Sequence, residues 1–270
     1  LCARTAPRNA RINAMAESED APLDLIAVGA HPDDLEIACG GTLARLSDLG
    51  YRVGMVDLTD GEPTPGSPGP DVRANEAERA REILGVHVRV SLNLPNRRLF
   101  DSFEARVALA RVFRRYRPRI VLGFGGKTIL ASPDHYQAML ITDAAVFYSR
   151  LSKWDEHFGG LPPHTITNQL SFPIALHRLD MPESSGYIVA DIGHTLERKL
   201  EAIRAYGSQF PPSKSRLFQT VEMMNRYFGL TAGFEAGELF MNYRSFGVDD
   251  LIRWAAPPPI GGDDRPGGGS

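Results

Sequence analysis

Between Leu23 and Leu151 short apolar runs alternate with segments of helical spacing, four times in succession. Leu23–Ala30 (LDLIAVGA) reads as a buried strand, and Leu35–Leu49 carries apolar residues at helical spacing up to Gly50. A second strand over Tyr51–Thr59 leads through a Gly/Pro-rich loop to a helix over Val72–Leu84, closed by Gly85. Val86–Leu92 is the third strand, and Asp101 with Glu104 forms a capping-box pattern for a helix running to Tyr116, with Pro118 beyond its end. Ile120–Phe124 is the fourth strand, followed by a helix near Asp134–Leu151. Such a chain buries its apolar strands only between two layers of helices. The expected class is therefore α/β, a Rossmann-like open, mostly parallel sheet with helices on both faces. The later chain is less regular: Ile166–Ile174 and Tyr187–Ile192 read as strands and Thr195–Tyr206 as a helix, a C-terminal elaboration of the same sheet.

Composition removes several classes of function. The 30 Lys+Arg against 33 Asp+Glu leave a net charge of −3, so no strong basic field exists for a nucleic-acid backbone. No run approaches the ~20 apolar residues of a membrane span. With two cysteines, Cys2 and Cys39, neither a disulfide framework nor a thiolate metal site can be built, so any metal must be held by His and carboxylate. Residues 1–14 carry Arg4, Arg8 and Arg11 and no acid, and read as a leader or mis-assigned start; without them the net charge becomes −6. Residues 257–270 (PPPIGGDDRPGGGS) hold too few apolar side chains to offset ordering entropy and read as a flexible tail.

In open α/β sheets ligands bind beyond the carboxyl ends of the strands. The first strand ends in Ala30-His31-Pro32-Asp33-Asp34, the second in Asp57-Leu58-Thr59-Asp60-Gly61-Glu62, and the loop after the fourth reaches Ser132-Pro133-Asp134-His135. A catalytic zinc uses three N/O ligands and one open position. His31 and Asp34, three residues apart at a helix start, can supply two of them, and His135 from another strand end the third. Asp33 then remains beside the metal as a carboxylate able to take a proton. The same residues also allow a plainer reading: Asp33 or Asp34 as a helix cap, and His135 as a helix-terminal or core histidine.

The run AVGAHPDDLEIACGGTLARLSDLGYRVGMVDLTDGE resembles the LmbE-like, or PIG-L-like, zinc-dependent de-N-acetylases, whose hallmark [GA]-H-P-D-D-x-E is present as Ala30–Glu36. Further matches are Gly40-Gly41-Thr42, Arg73-Ala74-Asn75-Glu76, Ile83-Leu84-Gly85-Val86, Tyr116-Arg117-Pro118, Pro133-Asp134-His135 and Lys199 through Gln209, so the resemblance covers Leu23 to Phe240. It implies one deacetylase domain over 15–256, a Zn2+ cofactor on His31, Asp34 and His135, and Asp33 as general base. It implies removal of an N-acetyl group from an N-acetylglucosamine-containing small molecule. The DLT-x-GE run and the Tyr206–Gln209 segment look most like the bacillithiol-pathway branch, whose substrate is N-acetylglucosaminyl malate. A cytoplasmic homo-oligomer, trimer or hexamer, is the implied state. Arg73 is expected to anchor substrate, or else to pair with Glu76 on a helix surface. Tyr206 is expected to donate to the oxyanion, or else to be a core tyrosine, and Glu36 to orient His31.

Three departures bear on activity. Ser132 stands where the family has the first His of H-P-D-H; a serine hydroxyl can hydrogen-bond an oxyanion but cannot do acid catalysis near neutral pH. In the loop Phe124–Ile129, Lys127 is a cation that could stand in. The family's L-P-D-G turn is here Leu94-Pro95-Asn96-Arg97, which removes an acid on the substrate side. The alternative to an active enzyme is thus a metal-retaining sugar-binding protein with weak or lost catalysis. A phosphate-binding Rossmann-like protein is disfavoured, because Asp33 and Asp34 would repel phosphate and no G-x-G-x-x-G occurs. His87, His157, His164, His177 and His194 are expected in surface or capping roles, and Cys39 as a packed thiol.

Overall fold

The computed structural model describes residues 21–128, 130–174, 186–245 and 247–251. The elements follow the expected alternation: β1 (Leu25–Gly29), α1 (Asp34–Asp48), β2 (Val53–Thr59), α2 (Pro70–Leu84), β3 (Val88–Leu94), α3 (Phe103–Tyr116), β4 (Ile120–Phe124) and α4 (Asp134–Tyr148). Then come a single turn, α5 (Asp155–Phe158), and β5 (Asn168–Phe172), β6 (Gly186–Asp191), α6 (Leu196–Arg204), α7 (Ser215–Thr231) and β7 (Gly237–Asn242). Residues 1–14, 257–270 and His177 lie outside the described residues.

The sheet has seven strands in the order β3-β2-β1-β4-β5-β7-β6. β1, β2, β4 and β5 pair in parallel with their neighbours up to β5, and β3 joins β2 in parallel at one edge. Every residue of β1 and β2 is buried, as expected of apolar runs covered by helices on both faces. β7 runs antiparallel to both β5 and β6, so it alone reverses the sheet. The chain winds outward from β1 through β2 to β3, then returns to β4 on the other side of β1. That reversal opens a crevice at the carboxyl ends of β1 and β4.

Helix ends follow local chemistry. Gly85 ends α2 at φ 71°, a left-handed conformation that glycine tolerates. The cap of α3 differs from the expected one: Ser102 Oγ accepts from the Ala105 amide, while Asp101 is drawn off into an ion pair with Arg106. The middle of α1 is tied to the far half of the sheet. Glu238 on β7 accepts from the amides of Gly41 and Thr42 at 2.9 and 2.7 Å, and Lys199 Nζ on α6 lies 2.6 Å from the same carboxylate. A Cβ on Gly41 would sit 2.8 Å from Ile192, so the close approach needs glycine. Cys39, on the same helix, is fully buried, and burial pushes its thiol pKa up.

Candidate active site

The turn after β1 is folded around one carboxylate. Asp34, the first residue of α1, accepts from the backbone amides of Ala30 and His31 at 3.1 and 2.8 Å through Oδ2. To make this turn the chain passes through Asp33 at φ 114°, a conformation L residues rarely adopt and one found where the surrounding structure over-determines it. Asp34 is thereby fixed between two imidazoles: His31 Nδ1 lies 3.3 Å from Oδ2 and His135 Nε2 3.2 Å from Oδ1. His135, in the first turn of α4, is held flat against Phe124 at the end of β4, with centroids 4.7 Å apart and rings 19° from parallel. One ligand atom from each of His31, Asp34 and His135 lies within 4.8 Å of the others.

The charge balance of this cluster calls for a cation. Burial would lower the His31 pKa, but hydrogen bonds to Asp134 and Asp34 outweigh it and raise the value to about 10. Burial would raise that of Asp34, yet the neighbouring His135 and His31 hold it well below the usual carboxylate range. Asp33 responds in the opposite sense: burial pushes its pKa up, to about 7, against the pull of Arg73. His135 Nδ1 is buried with no hydrogen-bond partner among the described residues. Two imidazoles, one carboxylate held ionised and an orphaned ring nitrogen fit a divalent metal of the kind bound by nitrogen and oxygen.

Asp33 is not needed as a ligand. Its Oδ2 lies 3.2 Å from Arg73 Nη2, and both residues line a cavity of about 290 Å³ that opens onto the cluster. Arg73 is buried rather than on a helix surface. It donates to the Pro32 carbonyl at 2.5 Å and to Thr64 Oγ1 at 3.0 Å, while its Nε has no partner. The surface pair with Glu76 does not form, because Glu76 accepts from the amide and hydroxyl of Ser208. That bond docks the segment after α6 onto α2 and brings Gln209 and Phe210 to the cavity wall.

Ser132 lines the cavity, its Oγ accepting from the Asp134 amide at 3.2 Å. Of the two placements expected of Tyr206 the core one holds, and the placement expected of Glu36 is corrected. Tyr206 does not reach the cavity: it is fully buried, and its hydroxyl donates to Glu36 Oε1 at 2.8 Å. Glu36 in turn is held by Arg89 at 2.6 Å and does not touch His31. Asp134 occupies that position instead, its Oδ2 3.3 Å from His31 Nε2 and 2.7 Å from the Arg97 amide. The signal for this role in the sequence is its place one residue before His135, in the first turn of a helix. Lys127 is exposed and is not among the residues lining the cavity. Of the other histidines, His164 bonds the Pro118 carbonyl and His157 faces Glu156 and Phe103, away from the cluster.

Residues 26–146 match the PIG-L family, described as GlcNAc-PI de-N-acetylase, a span that holds the whole His31–Asp34–His135 cluster. The chain is 31% identical to the diacetylchitobiose deacetylase of Thermococcus kodakarensis over 79% of its own length and 80% of that protein. It is 31% identical to 1D-myo-inositol 2-acetamido-2-deoxy-alpha-D-glucopyranoside deacetylase 2 of Catenulispora acidiphila over 56% of this chain and 60% of that one. Among solved structures, a conserved protein of Thermus thermophilus superposes with a TM-score of 0.72 at 31% identity, covering 83% of this chain and 97% of that chain. The chain belongs to the PIG-L family of N-deacetylases.

Proposed function

We propose that this protein is a zinc-dependent amide hydrolase that removes the N-acetyl group from a small glycoside of N-acetylglucosamine. The observation that carries this reading is the convergence of His31, Asp34 and His135 at the sheet's switch point, with Asp33 beside them and uncommitted as a ligand. The relatives acting on diacetylchitobiose and on an N-acetylglucosaminyl inositol support the sugar. N-acetylglucosaminyl malate, implied by the sequence resemblance, belongs to the same chemical set.

His31, Asp34 and His135 would hold the metal, which when bound acts as a Lewis acid toward water and the acetyl carbonyl. Asp134 holds the far nitrogen of His31, fixing the ring's tautomer and direction. Asp33 takes a proton from the attacking water as the new C–O bond forms, and returns one to the amide nitrogen as the C–N bond breaks. The products are acetate and the free amine. Its pKa, raised by burial, suits a group that must both accept and release a proton. Arg73 holds Asp33 in place through one nitrogen, its guanidinium fixed by the Pro32 carbonyl and Thr64 Oγ1. Ser132 offers a hydroxyl where the family has an imidazole, a donor without the acid function.

The test is metal content together with acetate release from diacetylchitobiose, N-acetylglucosaminyl inositol and N-acetylglucosaminyl malate. The expected result is stoichiometric zinc and turnover of at least one glycoside, with Asp33→Ala retaining zinc and losing roughly 10²–10⁴-fold in rate. Full zinc occupancy and sugar binding without acetate release would instead identify a binding protein. Light scattering on the same preparation tests the homo-oligomer implied by resemblance.

A further inference from the structure

We propose that Arg97 selects substrates whose aglycone carries an anionic group, a carboxylate or a phosphate; this rests on the deacetylase reading above and names its substrate class. Six ionisable side chains line the cavity: His31, Asp33, Asp34, His135, Arg73 and Arg97. The first four belong to the metal cluster and its base, and the charge of Arg73 is opposed by Asp33 at 3.2 Å. Arg97 is the remaining cation. It is exposed, and its side chain makes no hydrogen bond or ion pair among the described residues. Its neighbour on the turn, Asn96, is neutral and leaves Arg97 uncompensated.

The backbone makes this position specific. Arg97 sits at φ 61°, a left-handed conformation in which a long side chain is disfavoured and glycine is favoured. Its amide donates 2.7 Å to Asp134, which also faces His31, so the turn is fixed relative to the metal cluster through two hydrogen bonds. On the same turn Asn96 donates to the Glu62 carbonyl and keeps a buried, unpartnered Oδ1. A guanidinium at a solvent-exposed rim suits a substituent that projects out of the cavity, not the oxyanion at its base. Its planar fork matches carboxylate and phosphate oxygens alike.

The experiment compares wild type, Arg97→Gly and Arg97→Lys on neutral diacetylchitobiose and on two anionic glycosides, N-acetylglucosaminyl malate and N-acetylglucosamine 1-phosphate. Wild type should favour at least one anionic substrate by roughly tenfold in kcat/KM, and raised salt should shrink that preference. The two arms separate carboxylate from phosphate. Arg97→Gly should raise KM for the favoured anion by roughly tenfold with kcat and the neutral substrate unchanged, and Arg97→Lys should retain part of the preference. Equal losses on neutral and anionic substrates, or no preference in wild type, overturn the proposal. If nothing is turned over, the deacetylase reading fails by itself. Arg97 is then judged by calorimetry with N-acetylglucosamine 1-phosphate and methyl N-acetylglucosaminide: a weaker Kd for the phosphate alone in Arg97→Gly supports it, and equal Kd values overturn it.

Discussion

Two clusters of buried charge meet helix α1, one at its first turn and one at its middle, and they are completed to different degrees. At the middle, Lys199 Nζ is shared between Glu238 and Asn225, and Glu238 accepts from two backbone amides, so no buried side-chain atom of the three lacks a partner. At the first turn, His135 Nδ1, Arg73 Nε, Asn96 Oδ1 and Gln209 Nε2 are all buried and unpartnered among the described residues. Burying polar atoms costs free energy unless they are bonded, so the cluster at the middle of α1 is complete in itself while the one at its first turn is held ready for something to complete it. Both read as clusters of ionisable residues; satisfaction of the atoms separates them.

Removing one member of the closed cluster should have the largest effect. Lys199→Met leaves Glu238 buried and unpaired, and a loss of about 3–5 kcal/mol is expected, seen as a fall of roughly 10 °C in Tm. Adding Glu238→Gln to that variant should recover part of the loss, because the amide oxygen still accepts from α1. The open cluster should behave in reverse: it gains stability from a ligand. Zinc at about 100 times its Kd should add about 2.7 kcal/mol to wild type and measurably less to His135→Ala, read as a metal-dependent Tm shift. Smaller still is Ser132→His, which restores an imidazole beside the cavity. Turnover should rise by roughly tenfold or more, and a fall would show that the cavity is built around the hydroxyl. The smallest effect is on the stability of Arg97→Gly. Relief of a left-handed arginine, about 1–2 kcal/mol, is largely offset by the chain entropy glycine adds, so chemical denaturation should show no change or a gain below about 1 kcal/mol.

The contrast also bears on what could be read from the chain. β1, β2 and β4 were legible because strands buried on both faces are continuous apolar runs, and β4 has the expected bounds, Ile120–Phe124. β7 was not legible, although all six of its residues are buried, because Glu238 interrupts GELFMN with an acid. Only the partners Lys199, Gly41 and Thr42, distant in sequence, make a carboxylate tolerable there. α7 was hidden for a related reason: Met223, Tyr227 and Leu230 are exposed and blur the stripe formed by Val221, Asn225 and Phe228. At the active site, His31, Asp33, Asp34 and His135 could be brought together by the rule that loops at strand ends meet. The partners of Tyr206 and Glu36 could not, since Glu36 joins Arg89 on β3 to the Tyr206 hydroxyl across distances in the chain that no local spacing announces.

The grip of Glu238 on the amides of Gly41 and Thr42 has a consequence for how the molecule can be divided. The helix that presents Asp34 and follows His31 is steadied at its midpoint by a strand entering the sheet some two hundred residues later in the chain. The contiguous stretch 26–146 contains the metal-binding cluster, yet it lacks the piece that fixes the helix bearing it. Grafting that stretch into another scaffold would transplant the side chains and leave behind the clamp that aims them.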